Sequence, residues 1–90
     1  MGRRLDIVNY NLVAGVEQEI NLTGNIDSLV IKARNANNLQ IRLSAGNAIY
    51  YNLDHVLSLG PGQVREYFPG LILFITCLVN EVIEIIETTG

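Results

Sequence analysis

Two corners set close together, Leu59-Gly60-Pro61-Gly62 and Phe68-Pro69-Gly70, constrain this chain more than any other feature. Proline fixes φ and the glycines beside it are free to take positive φ, so each corner can reverse the chain within a few residues. The segments they delimit, Gln63 to Phe68 and Leu71 to Leu78, read as short strands. Strands joined by turns this tight run antiparallel, because parallel neighbours need a crossover of roughly a dozen residues or more.

Period-two alternation recurs elsewhere and supports the same class. Leu5, Ile7 and Asn9 alternate with Asp6, Val8 and Tyr10, and Ile20 and Leu22 flank Asn21 ahead of Thr23-Gly24-Asn25. The cleanest pattern sets Leu29, Ile31 and Ala33 on one parity against Val30, Lys32 and Arg34 on the other. After Asn35-Ala36-Asn37-Asn38 it resumes with Leu39, Ile41 and Leu43 against Gln40, Arg42 and Ser44. Two such runs around an Asn-rich turn read as a hairpin with one apolar and one polar face. Ile49, Tyr50 and Tyr51 begin another extended run, and Asn52-Leu53-Asp54-His55 leaves the sheet as a loop.

At the C-terminal end, Glu81, Glu84 and Glu87 lie three apart, a spacing that also suits one face of a helix. The apolar residues between them are all β-branched, which favours a strand. Charge along such a strand suits a sheet edge, where it discourages unwanted pairing. The expected fold is therefore all-β: a compact antiparallel β-sandwich, jelly-roll-like, of about seven to eight short strands in one domain over residues 1–90, with no helix.

Composition bears on partners. A 90-residue domain has a high surface-to-volume ratio, yet 49% of this chain is hydrophobic and 17% charged, against a usual ~25% charged. The surplus implies that part of the surface is covered, most simply by other copies of the chain. The net charge of −3 supplies no basic patch for nucleic acid. The apolar run Leu71 to Val79 is far short of the ~20 residues of a membrane helix, and Met1 to Asp6 carries no apolar signal-peptide core. The expectation is a chain that binds neither nucleic acid nor membrane and is made and used in a cytoplasm, or assembled there into something larger.

Reactive chemistry is sparse. Asp54 and His55 are neighbours, but on an extended chain they point apart and form no dyad by adjacency. Neither Ser44, Ser58 nor Cys77 sits in a turn that would present a nucleophile. Cys77, among Phe74, Ile75 and Leu78, reads as a small buried hydrophobe, and a lone cysteine with a lone histidine gives no zinc set. No catalytic, cofactor-binding or metal-binding residue is expected, and no cofactor.

The charge pattern suggests contact instead. Lys32, Arg34 and Arg42 are expected on the polar face of one hairpin, with Glu81, Glu84 and Glu87 as a complementary acidic strand. Leu71, Leu73 and Ile75 belong to a strand apolar on both faces, one of which should meet a partner.

The runs Leu39-Gln40-Ile41-Arg42-Leu43, Leu59-Gly60-Pro61-Gly62, Phe68-Pro69-Gly70 and Val82-Ile83-Glu84-Ile85-Ile86 carry a family likeness. From Ile20 to Thr88 the chain resembles the small all-β accessory proteins of tailed bacteriophage particles: cement or decoration proteins, and neck or tail modules. The resemblance implies a non-enzymatic virion structural protein. Such a protein forms a homo-oligomer, trimer or dimer, and stabilises the particle by contacts with the major capsid protein or other virion proteins. The family works by surface contact, so no site residue is carried over. A carbohydrate- or peptide-binding module is the alternative expectation, using the loop Tyr50, Tyr51, Asn52, Asp54 and His55.

Overall fold

Leu29, Ile31 and Ala33 are all sealed from solvent, and so are Leu39 and Ile41. The alternation therefore reports a real inner face. The computed structural model describes residues 4–42 and 51–89. Among them are eight strands: β1 (Arg4–Leu12), β2 (Gln18–Asn21), β3 (Ile26–Ala33), β4 (Leu39–Arg42), β5 (Tyr51–Leu53), β6 (Val56–Leu59), β7 (Ile72–Thr76) and β8 (Glu81–Thr89). One short helix, α1 (Gln63–Tyr67), precedes β7.

The strands form two antiparallel four-stranded sheets, β1-β8-β3-β6 (sheet A) and β2-β7-β4-β5 (sheet B). Every connection except β4–β5 passes from one sheet to the other. This is the order of an eight-stranded jelly roll, two Greek keys folded over one core. Ile20, Leu39, Leu73 and Ile75 of sheet B meet Leu29, Ile31 and Ile83 of sheet A in a single apolar cluster.

The topology corrects several expectations. The segments around Asn35 to Asn38 do not form a hairpin, because β3 and β4 lie in different sheets. The turn chemistry was recognisable, but a corner between sheets needs the same residues as a hairpin. β5 and β6 replace the expected loop over Asn52 to His55, which narrows to Asp54-His55. Gln63 to Tyr67 is helix, not strand. Gly62, at φ +83°, starts it, and the Gln63 side chain accepts a hydrogen bond from the Gly60 amide at 2.7 Å. Val64 and Phe68 are both buried. Four residues apart, they share a helix face as readily as a strand face, so their spacing decides nothing.

β8 is a strand, as its β-branched residues imply, but it lies between β1 and β3 and not at an edge. Its period of two sends Glu81 and Glu87 inward and Glu84 outward.

Backbone strain appears at two non-glycine residues, Ala36 at φ +60° and Leu71 at φ +56°. Leu71 is half-buried and packs against the core, which accounts for a large side chain there. Ala36 is exposed and gains nothing comparable. Ala36→Gly is expected to raise stability by about 0.5–1 kcal/mol, read as a higher urea midpoint at unchanged slope.

Candidate interaction surfaces

The inward glutamates tie down the corners. Glu81 is 3% exposed. Its carboxylate accepts from the backbone N–H of Asn35 (3.1 and 3.2 Å), Asn37 (3.2 Å) and Val82 (2.8 Å), and from the side-chain amides of Asn35 and Asn37 (2.8 Å each). Burial pushes this carboxyl up, but the bonds from Val82, Asn37 and Asn35 outweigh it and bring it from 4.5 down to about 2. A carboxylate only accepts, so both asparagine amides must turn their NH2 groups towards it.

Glu87, near the other end of β8, accepts from the Thr23 N–H (2.9 Å) and hydroxyl (2.8 Å). The two glutamates thus fasten the β3–β4 and β2–β3 crossovers to the central strand. Asn80 and Cys77 complete the first of these ends. Asn80 Oδ1 accepts from the Ala14 N–H (2.8 Å), the Cys77 carbonyl accepts from the Gly15 N–H (2.8 Å), and the Cys77 thiol donates to the Asn38 carbonyl (3.4 Å). A cleft of about 360 Å³ lies beside Glu81, but the lone pairs of that carboxylate are already engaged by N–H donors.

The expected charged interface does not assemble. Lys32 and Arg34 belong to the outer side of sheet A, where Lys32 lies opposite Glu84 and Arg34 Nε reaches Glu84 Oε2 at 3.2 Å. Arg42 is on the outer side of sheet B. There it pairs with Glu17 (Nε to Oε1, 2.9 Å) and stacks on Phe74, its Cζ 4.5 Å from the ring centroid. Leu73 and Ile75 are fully buried in the chain's own core, and Glu81 and Glu87 serve the crossovers. Leu71 packs against that core. None of these five is free to meet a second chain.

Nor does the outer side of β7 offer the expected apolar contact. Phe74 is shielded beneath Arg42, Thr76 is buried, and only Ile72 is substantially exposed. Around them the outer surface of sheet B carries Glu19, Asn21, Gln40 and Asn52.

Sheet A is the opposite. Ile7 of β1 lies directly opposite Ile86 of β8, which lies directly opposite Val30 of β3. The row is flanked by Leu5 and Val56. Leu5 is 61% exposed and Ile7 58%. Val30 and Ile86 are half-buried beside them, and the next row sets Lys32 opposite Glu84. An apolar stripe with such exposed members on a small domain is a candidate contact surface.

Among the described residues of the loop proposed for a glycan or peptide, Asn52, Asp54 and His55 are exposed and form no enclosure. Tyr50 and the Tyr51 side chain lie outside the described residues. Asp54 and His55 are both exposed, with Oδ1 and Nδ1 3.9 Å apart. A true concavity lies nearby, between the edge strands β5 and β6 and α1. It encloses about 410 Å³ and is lined by Ile41, Leu53, Leu57, Leu59, Gln63, Tyr67 and Phe68. Among the described residues its chemistry is that of an apolar slot, with no charged side chain in its lining. Among the described residues no three His, Cys, Asp or Glu side chains converge to hold a metal, and no helix is long and apolar enough to cross a membrane.

No family model matches the sequence, and no curated protein matches it. The surfaces therefore have to be interpreted from their own chemistry. The outer stripe of sheet A was missed in the sequence because its members come from three distant strands. The exposed Leu5 and Ile7 were visible as an alternation, but which strands would flank them was not.

Proposed function

We propose that this chain is a non-enzymatic assembly protein, an accessory component of a virus particle that stabilises the particle shell by surface contact. The observation that carries the reading is the apolar row Ile7–Ile86–Val30 on sheet A, with Leu5 and Ile7 exposed, set against a sheet B whose outer surface is polar. A face of this kind suits burial against a shell subunit, and apolar burial is the main favourable term in such association. The resemblance to phage cement and neck or tail proteins supports the virion setting. The jelly roll is common to capsid domains, lectins and cupins, so the architecture agrees with this setting without selecting it.

The test is fractionation of particles from the producing host on a density gradient, with the chain followed by antibody. The wild-type chain is expected to band with particles. The Ile86→Lys, Val56→Lys double variant, altered only on the outer face, is expected to show at least roughly tenfold less banding while remaining folded by circular dichroism. A wild-type chain found wholly in the particle-free fractions would overturn the reading.

A further inference from the structure

The four sheet edges are not alike. Among the described residues, β2 and β6 span four each and β5 three, and short edges are one way a sandwich avoids unwanted pairing. β1 spans nine, and no described strand pairs with its outer side. Of the usual protective devices it has only two charged side chains, Arg4 and Asp6, and these are paired with each other. Its register with β8 is unbroken from Arg4↔Thr89 to Leu12↔Glu81, with no bulge, and it contains neither proline nor lysine. It exposes apolar side chains on both sides of the sheet, Leu5 and Ile7 outward and Val8, 45% exposed, inward.

We propose that β1 pairs antiparallel with β1 of a second copy about a twofold axis at Ile7, joining two A sheets into one continuous eight-stranded sheet. The partner is a second copy for three reasons. First, β1 is electrically balanced: its charged side chains are Arg4 and Asp6, already paired at 3.4 Å, so a twin strand meets no net repulsion although the chain carries −3. Second, among the described residues of β1 only Leu12 is fully buried, and Ile7 is the exposed apolar side chain on the outer face in line with Ile86 and Val30. A twofold there sets Ile7 opposite its twin and Arg4 opposite Tyr10, a cation against an aromatic ring. Third, an axis perpendicular to the sheet keeps both outer faces on one side. The row Val30–Ile86–Ile7 then continues into its symmetry mate as one unbroken apolar stripe.

This inference deepens the assembly reading and rests on it for what the dimer serves, but its test needs no particle. The purified chain is examined by size exclusion with light scattering, and the wild type is expected at twice the monomer mass. Ile7→Lys and Ile7→Glu each place like charges face to face at the axis. Each is expected to weaken dimerisation by roughly 100-fold and elute as monomer, with an unchanged far-ultraviolet spectrum. Mixed in equal amounts, the two variants are expected to recover a dimer, because lysine then faces glutamate. That rescue is specific to a pairing in which residue 7 meets residue 7. A monomeric wild type at roughly 0.1 mM overturns the proposal, as do a trimer, a variant that stays dimeric, or a mixture that stays monomeric. Particle banding of a monomeric wild type would reject the dimer and leave the assembly reading standing.

Discussion

Glu81→Gln is expected to cost about 2–3 kcal/mol at pH 7, and the deficit is expected to shrink as pH falls. The carboxylate gathers the N–H groups of Asn35, Asn37 and Val82 and the side-chain amides of both asparagines. Hydrogen bonds to a charged acceptor contribute more than neutral ones, and a buried donor left without a partner is costly. Glutamine keeps one acceptor oxygen and turns an NH2 group towards N–H donors. The folded carboxyl is held at about 2, below its ordinary 4.5. Its stabilising contribution is therefore fully present above about pH 4.5 and lost as pH falls towards 2. Urea unfolding of both proteins from pH 7 to 2 checks this. Subtracting one curve from the other removes the contributions of the remaining carboxylates. A difference that stays constant over the whole range would refute the assignment.

Leu29→Ala is expected to be the more damaging change, at about 3–4 kcal/mol. Leu29 is fully buried, and its strand is paired on both sides, opposite Glu87 of β8 and Leu59 of β6. Strands that are hydrogen-bonded on both sides cannot easily close over a void, so most of the cavity persists. A 90-residue domain has roughly 5–13 kcal/mol in total, so the variant should be partly unfolded at 37 °C. Leu5→Ala is the control. The same substitution at a site 61% exposed should change thermal stability by less than about 0.5 kcal/mol. Equal losses at the two positions would contradict the placement of the core. The contrast also separates effects of β1 on association from effects on folding.

The all-β sandwich was legible because inner-face residues announce themselves by parity: Leu29, Ile31, Ala33, Leu39 and Ile41 are all buried as their alternation implies. What parity does not encode is which strand lies beside which. A corner such as Asn35 to Asn38 carries the same turn residues whether it joins neighbours or switches sheets, so the hairpin expectation failed there. The glutamates show a related limit. Their spacing of three mixes both faces of a strand, and acidic residues are ordinarily solvated. The informative signal was the company they keep: Glu81 and Glu87 share parity with the buried Ile83 and Ile85, and the asparagines that satisfy Glu81 lie 44 and 46 residues away in sequence. The apolar stripe on sheet A was illegible for the same reason, being assembled from β1, β3 and β8.

The sheet-switching connections also dictate an order of events. β1 and β3 do not touch one another in sheet A; both are hydrogen-bonded to β8, the last described strand in the chain. On a ribosome, β1 therefore waits, unpaired, until Glu81–Thr89 has emerged, and β3 has only β6 to pair with before then. Arg4 must then find Thr89, 85 residues further along the sequence. Ladders this distant in sequence place the domain among slow, milliseconds-to-seconds folders. Until β8 arrives, β1 is exposed along both edges rather than one, and a nascent chain is most open to pairing with its neighbour in that interval.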